Sequence, residues 1–186
     1  ALSQLMQDFT FIRTPSCSRL EVCSNTAVVT AINVTSTQWP VIWSIDGLPH
    51  DSFGLIPIPP PLGGVLILSP NVIMYTNGSS SKIAFRLNLF APSGGDFSFP
   101  IINASATPPM ISLDACHHSF LTLNRLLVSL NNGDLYIFHL EDDGRAVTNI
   151  NISKAGTSAI ASCVRATHHS CLSTLICKEA SSSSLV

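Results

Sequence analysis

Histidines and cysteines lie close together at two places in the sequence, where they suggest zinc coordination. Cys116 precedes His117-His118, and His168-His169 lies between Cys163 and Cys171. Structural zinc takes four ligands in a tetrahedron, often with a Cys-x-x-Cys pair among them. Adjacent histidines in a strand point to opposite faces, and no Cys-x-x-Cys occurs. The sequence therefore predicts no metal site and no cofactor.

Asp46, His50 and Asp51 bring two carboxylates near an imidazole, which are residue types of nucleophilic hydrolysis. Such a site also needs an activated serine or cysteine, but no Gly-x-Ser-x-Gly elbow occurs. Asp-Gly and Pro-His-Asp are sequences typical of turns. We therefore predict no catalytic residue and no enzymatic activity, and a small hydrolase on a β fold stays the third of three hypotheses.

The charge pattern bears on nucleic-acid and membrane binding. Among 186 residues only 11% are charged, the net charge is −2, and no run of lysine or arginine occurs. Autonomous phosphate binding needs a basic stripe, so direct duplex recognition is not expected. No apolar run reaches the roughly 20 residues of a membrane span. We expect no membrane partner and no small-molecule substrate.

The elements that position these residues are short strands. Runs of β-branched and apolar residues are separated by clusters of Gly, Pro, Asn and Ser, and no amphipathic helix of similar length is present. This pattern predicts an all-β sandwich, barrel or propeller. The candidate strands are residues 27–34, 41–45, 53–58, 65–68, 72–76, 82–89, 119–123, 126–130, 135–140, 147–152 and 158–164.

Two segments predict hairpins. Pro59 to Pro61 fix an extended turn, and Gly63-Gly64 allow a close backbone approach at the start of the strand 65–68. Downstream, Asn132-Gly133 favours the positive φ values of a tight hairpin between strands 126–130 and 135–140. With the strand that follows, these form a meander, most of one four-stranded propeller blade.

Three motifs carry a family resemblance: Pro40-Val41-Ile42-Trp43-Ser44-Ile45 with Leu48-Pro49-His50-Asp51, Pro61-Leu62-Gly63-Gly64-Val65-Leu66, and Asn132-Gly133-Asp134-Leu135-Tyr136. They resemble the first β-propeller of the large subunit of the cleavage and polyadenylation specificity factor. That superfamily also includes the damaged-DNA-binding scaffold and a splicing-factor scaffold. The resemblance covers residues 26–164. It implies structural roles for Trp43, Pro49, Asp51, Pro61, Gly63, Gly64, Gly133, Asp134 and Tyr136.

The resemblance implies an incomplete ring. Members of the family build propellers of seven blades, and at about 40–45 residues per blade this chain makes roughly four. We therefore expect a partial β-propeller of four-stranded antiparallel blades over residues 26–165, and a fragment or an incomplete gene model. Residues 1–25 are expected to be poorly defined, and residues 166–186 to form an atypical, disordered tail.

The same resemblance implies a function. It suggests a non-catalytic scaffold segment of the nuclear pre-mRNA 3′-end cleavage and polyadenylation complex, which supports docking of partner subunits and recognition of the polyadenylation signal. Pre-mRNA would be reached through the complex. The alternative is a propeller adaptor of a DNA-damage-binding ubiquitin ligase. Trp43 and the stretch from Pro49 to Asp51 favour the polyadenylation branch.

Overall fold

The structure is a computed structural model that describes most of the chain. It covers the backbone of residues 7–13, 25–32, 40–78, 81–92, 97–158, 161–169 and 172–179, and the side chains of 25–30, 40–78, 81–92 and 97–158. Every regular element in these ranges is a β-strand. The described part contains no helix with the length and apolar character needed to cross a bilayer.

The described strands form three antiparallel sheets and a further strand pair. Their bounds are β1 Gln7–Arg13, β2 Asn25–Ile32, β3 Val41–Leu48, β4 Gly54–Pro57, β5 Val65–Leu68, β6 Val72–Thr76, β7 Lys82–Arg86, β8 His117–Thr122, β9 Arg125–Ser129, β10 Asp134–Asp142, β11 Val147–Thr157, β12 Ala161–His169 and β13 Leu172–Glu179. Sheet 1 has the order β1-β2-β3, sheet 2 β4-β5-β6-β7 and sheet 3 β11-β10-β9-β8. β12 pairs with β13 and lies beside β8.

The predicted all-β class with four-stranded antiparallel blades is confirmed, and the described sheets form an open part of a propeller. β5 and β6 have the predicted bounds, and most other strands differ by a few residues at their ends. β1 and β13 lie where the sequence predicts a poorly defined segment and a disordered tail. Each pairs with a neighbouring strand, a contact that local sequence patterns do not report. The serine run 181–184 lies outside the described residues.

The sheets stack face to face, with one apolar cluster on each side of sheet 2. The cluster between sheets 1 and 2 includes Ala27, Ile45, Leu48, Val65, Ile67, Val72, Met74 and Ala84. The cluster between sheets 2 and 3 includes Leu66, Leu68, Ile73, Tyr75, Leu126, Val128, Phe138 and Leu140. Successive side chains of β5 and β6 therefore enter different clusters. Because both faces are covered, these strands are continuous apolar runs instead of alternating apolar and polar residues.

The outer edge of sheet 2 is covered by a short segment from the β7–β8 connection. The Ala84 amide donates to Pro100 O at 2.8 Å, and the Ile102 amide donates to Ala84 O at 2.9 Å. The Asn103 side chain continues this pairing, accepting from the Arg86 amide at 2.8 Å and donating to Arg86 O at 2.9 Å. The backbone groups of an edge strand that would otherwise invite association are thereby satisfied.

Alternate connections lie at the same end of the sheets because consecutive strands are antiparallel. We call one end the glycine end; it holds the turns 58–64 and 77–78 of sheet 2 and the turns 123–124 and 143–146 of sheet 3. The other is the latch end, with the connection 49–53, the turn 69–71, the segment 110–114 and the hairpin loop 130–134. Hydrogen bonds join these latch-end segments, as in the 3.0 Å bond from the Leu113 amide to Pro70 O.

Candidate docking surface

Gly63 and Gly64 occupy the glycine end, before β5. Both have positive φ, +64° and +86°, but their surroundings differ. A Cβ on Gly63 would meet nothing within 4 Å, whereas one on Gly64 would lie 2.7 Å from Tyr75 Cε2 and 2.8 Å from Thr76 O. Pro61 is exposed in the same turn. The close backbone approach expected of the glycine pair is therefore present at Gly64.

The ring against Gly64 belongs to Tyr75, a fully buried residue of β6. Its hydroxyl donates to Gly63 O at 3.3 Å. Burial raises the pKa of this phenol, so the neutral form that donates the bond is the one present at physiological pH. Tyr75 thus serves packing and turn formation.

Trp43 lies on β3, half-buried at the boundary between sheets 1 and 2. Its indole packs directly on Gly78, where an added Cβ would lie 2.7 Å from both Cδ1 and Nε1. Gly78 has φ +85° in the β6–β7 turn. Trp43 therefore packs sheet 1 against a turn of sheet 2.

Pro49 and Asp51 lie in the β3–β4 connection at the latch end. The Ser52 amide donates to Pro49 O at 3.0 Å and closes a turn. In that turn the Asp51 carboxylate accepts from Ser69 Oγ at 2.7 Å and from Asn71 Nδ2 at 3.3 Å. Asp51 thus ties the connection from sheet 1 to the β5–β6 turn of sheet 2.

The polar contacts continue toward sheet 3 through two asparagines. Asn88 Nδ2 donates to Asn71 Oδ1 at 3.1 Å and to Ile111 O at 2.9 Å. The Ile111 amide donates to Leu87 O at 3.0 Å. Neither asparagine stands out in the sequence, because an Asn in a loop is usually a turn residue. Their side chains fix the segment 110–114 to sheet 2.

Gly133, Asp134 and Tyr136 belong to the β9–β10 hairpin. The Gly133 amide donates to Leu130 O at 3.0 Å, and Gly133 has φ +86°. Gly133 is the only residue of this loop with positive φ, so the turn is a three-residue loop with a glycine bulge. The antiparallel pairing expected from Asn-Gly is present. Lys154 Nζ lies 2.8 Å from Asp134 Oδ1.

A cleft of about 480 Å³ opens at the latch end between segment 110–114 and this hairpin. Apolar atoms come from Met110, Ile111, Leu130 and the ring of Tyr136. Polar groups follow the rim, from Ser112, Asp114, Asn131, Asn132 and Asp134. The structure therefore brings together Asp134 and Tyr136, while Trp43, Pro61, Gly63 and Gly64 lie at or toward the glycine end.

The histidines and cysteines considered as zinc ligands fall partly within the described part of the chain. His117 and His118 are consecutive in β8, and burial raises the pKa of the Cys116 thiol to about 11, which keeps it protonated at neutral pH. Within the described residues no three His, Cys, Asp or Glu side chains are grouped as a metal would need. The side chains of His168 and His169 lie outside the described part of the chain.

Comparison with known proteins identifies the fold. The family model of the RSE1/DDB1/CPSF1 first beta-propeller matches residues 9–173, which extends the expected range at both ends. Cleavage and polyadenylation specificity factor subunit 1 of Arabidopsis thaliana is 38% identical over 141 residues, 74% of this chain and 9% of that protein. Its Drosophila melanogaster counterpart is 34% identical over 153 residues, 81% of this chain and 10% of that protein. The chain thus spans about a tenth of these relatives.

Proposed function

Because the chain belongs to the RSE1/DDB1/CPSF1 first beta-propeller family, we propose that it is a scaffold segment of the pre-mRNA 3′-end cleavage and polyadenylation complex. The observation that carries this proposal is the identity of 34% and 38%, over 81% and 74% of the chain, to proteins named cleavage and polyadenylation specificity factor subunit 1. The resemblance implies a nuclear complex, and we propose that the protein acts in the nucleus. The proposal assigns it no reaction of its own.

The packing of the sheets supports a scaffold role. Sheet 2 is held on both faces by apolar clusters and at the latch end by the contacts of Asp51 and Asn88. Such a stack keeps its loops in fixed relative positions, and rigidly presented loops are the usual place for binding. The partners we propose are other subunits of the complex, which dock on these loops and support recognition of the polyadenylation signal.

Five lysine and arginine side chains lie in the described part of the chain, and contacts within the fold already engage two of them, which supports an indirect path to pre-mRNA. Arg86 Nη2 donates to the carbonyls of Asn103 and Ala104, and Lys154 is paired with Asp134. Phosphate binding depends on several cations neutralising neighbouring phosphates. We therefore propose that RNA is held by partner subunits or by other parts of the protein.

The adaptor of a DNA-damage-binding ubiquitin ligase is the second candidate, since the family model spans both branches. It is less well supported, because the relatives from plant and insect carry the polyadenylation name. Affinity purification of the complete protein from nuclear extract separates the two. We expect polyadenylation subunits in stoichiometric amounts; recovery of ubiquitin-ligase subunits in their place would contradict the proposal.

A further inference from the structure

We propose that the latch-end cleft binds an extended peptide segment of a partner protein, with a cationic side chain next to an apolar one. This inference rests on the proposed scaffold function and names a docking site for it. The cleft lies between segment 110–114 and the β9–β10 hairpin, at the junction of sheets 2 and 3.

The shape and lining of the cleft suit a polypeptide. Its volume of about 480 Å³ is within the range of ligand sites, but its rim is made of the exposed residues Ser112, Asp114, Asn131 and Asn132. A small ligand usually has most of its surface enclosed, whereas an extended peptide leaves one side in solvent. Hydroxyl, amide and carboxylate groups along a rim match the donors and acceptors of a peptide backbone.

Met110 gives the cleft an apolar contact point. Its side chain is 59% exposed, at the edge of Ile111, Leu130 and Tyr136. Its φ of +58° is uncommon for a residue with a side chain. Two hydrogen bonds of the next residue, Ile111, hold the backbone in this geometry. The Ile111 amide donates to Leu87 O, and Asn88 Nδ2 donates to Ile111 O. The flexible thioether of Met adapts to different apolar side chains at binding surfaces.

The charge of the lining points to a cationic partner residue. Both charged side chains that line the cleft, Asp114 and Asp134, are acidic. Asp134 is neutralised by Lys154, which leaves Asp114 as the exposed carboxylate with no ion pair among the described residues. Complementary charge across an interface steers encounter and fixes register. An arginine or lysine near Asp114, with its apolar neighbour against Met110, would satisfy both features.

The walls are preorganised, which lowers the entropy lost on binding. Segment 110–114 is bonded to sheet 2 through the Leu113 amide and Pro70 O at 3.0 Å. On the other wall, the Asp134 amide donates to Asn132 Oδ1 at 2.9 Å, and the Ser158 amide donates to Gly133 O at 2.8 Å. The cleft therefore presents a fixed surface between two sheets.

The test uses the complete protein co-expressed with the polyadenylation subunits. Met110→Gly removes the apolar contact while glycine accepts the positive φ, so folding is retained; Asp114→Lys reverses the charge. Leu123→Ser is the control, since Leu123 is 55% exposed in the β8–β9 turn at the opposite end of sheet 3. We expect the three variants to have equal melting temperatures. Both cleft variants should retain one partner subunit roughly tenfold more weakly than wild type, and the control should retain it as well as wild type does.

A photo-crosslinking amino acid at Ser112 then identifies the occupant. Crosslinks to a partner peptide with Arg or Lys beside an apolar residue, lost in Asp114→Lys, support the site. Crosslinks to RNA, to another segment of the same protein, or to nothing would each overturn it. If wild type holds the polyadenylation subunits and both variants hold them equally, only the docking site is wrong. If wild type fails to hold them, the proposed function fails as well.

Discussion

Sheets 2 and 3 differ in how their two faces are covered. In sheet 2 every side chain of β5 and β6 is buried, with Leu66 and Ile73 against sheet 3 and Ile67 against sheet 1. In sheet 3 one face packs on sheet 2, while the other carries Leu121, Leu135 and Ile137, which are only partly buried around Leu127. Similar strands thus have different environments according to their place in the stack.

Stacking therefore determines how much each sheet contributes to the stability of the fold. Apolar burial contributes about 25 cal/mol per Å², so a sheet covered on two faces gains more than one covered on one. The same holds for the turns. The β5–β6 turn of sheet 2 is held by Asp51 through fully buried Ser69, while the β9–β10 turn of sheet 3 has the partly exposed pair of Asp134 and Lys154.

The largest effect is expected from Gly64→Ala in the turn of sheet 2. The added Cβ would lie 2.7 Å from Tyr75 Cε2 and 2.8 Å from Thr76 O, at a φ of +86°. Positive φ and overpacking together are expected to destabilise by about 4 kcal/mol. Hydrogen exchange of the β5 and β6 amides in the complete protein measures this local opening.

Gly144→Ala is the matched control in sheet 3. Gly144 has φ +85°, but a Cβ there would meet nothing within 4 Å. Only the backbone effect of about 1 kcal/mol should remain. If both variants lost the same free energy of unfolding, the added Cβ at Gly64 would be accommodated at no cost. The turns of sheets 2 and 3 would then not differ in this respect.

Leu66→Ala and Leu121→Ala compare the covered and the less covered faces with one residue type. Leu66 is fully buried between sheets 2 and 3, whereas Leu121 is partly buried on the other face of sheet 3. We expect about 3 kcal/mol for Leu66, from lost burial and a cavity, and about 1 kcal/mol for Leu121. Thermal unfolding of the complete protein gives the order. A larger shift for Leu121 would mean that sheet 3 is equally enclosed on both faces.

Asp51→Ala tests the contact that holds the turn of sheet 2. The substitution leaves Ser69 Oγ, in a fully buried residue, without its acceptor at 2.7 Å. A buried hydroxyl that loses its partner costs about 2 kcal/mol. Asp46→Ala is the control, because Asp46 is exposed and its carboxylate accepts from Thr26 Oγ1 in a contact that is also exposed. Equal melting temperatures for the two variants would contradict the role assigned to Asp51.

Local patterns in the sequence predict the strands of sheets 2 and 3 well, because apolar runs bounded by Gly, Pro and Asn encode them directly. The bounds of β5 and β6 agree with the predicted ones residue for residue. β1 and β13 depend on pairing with β2 and β12, which periodicity does not report. The cleft was not predicted either, although two of its residues, Asp134 and Tyr136, belong to a predicted motif. The cleft forms where the β7–β8 connection lies beside the β9–β10 hairpin of sheet 3. Asn88 positions this connection by a hydrogen bond to Ile111, which is distant in sequence.

The smallest effect concerns the ion pair that flanks the turn of sheet 3. The hydrogen bond from Lys154 is the main cause that lowers the pKa of Asp134, and the same contact raises the pKa of Lys154. A lowered carboxylate pKa stabilises the fold above the ordinary value of 3.8, and this contribution is lost as the pH falls through the lowered value. A raised lysine pKa stabilises the fold below the ordinary value of 10.5, and this contribution is lost as the pH rises through the raised value.

Wild type should therefore melt at a slightly higher temperature than Lys154→Gln between these two limits, and the difference should vanish in stronger acid and in stronger base. Because the pair is in contact with solvent, mainly at Lys154, added salt should also reduce the difference. A difference that persists at pH 2, or that exceeds the effect of Asp51→Ala, would mean that the turns of sheets 2 and 3 are held by contacts of similar strength.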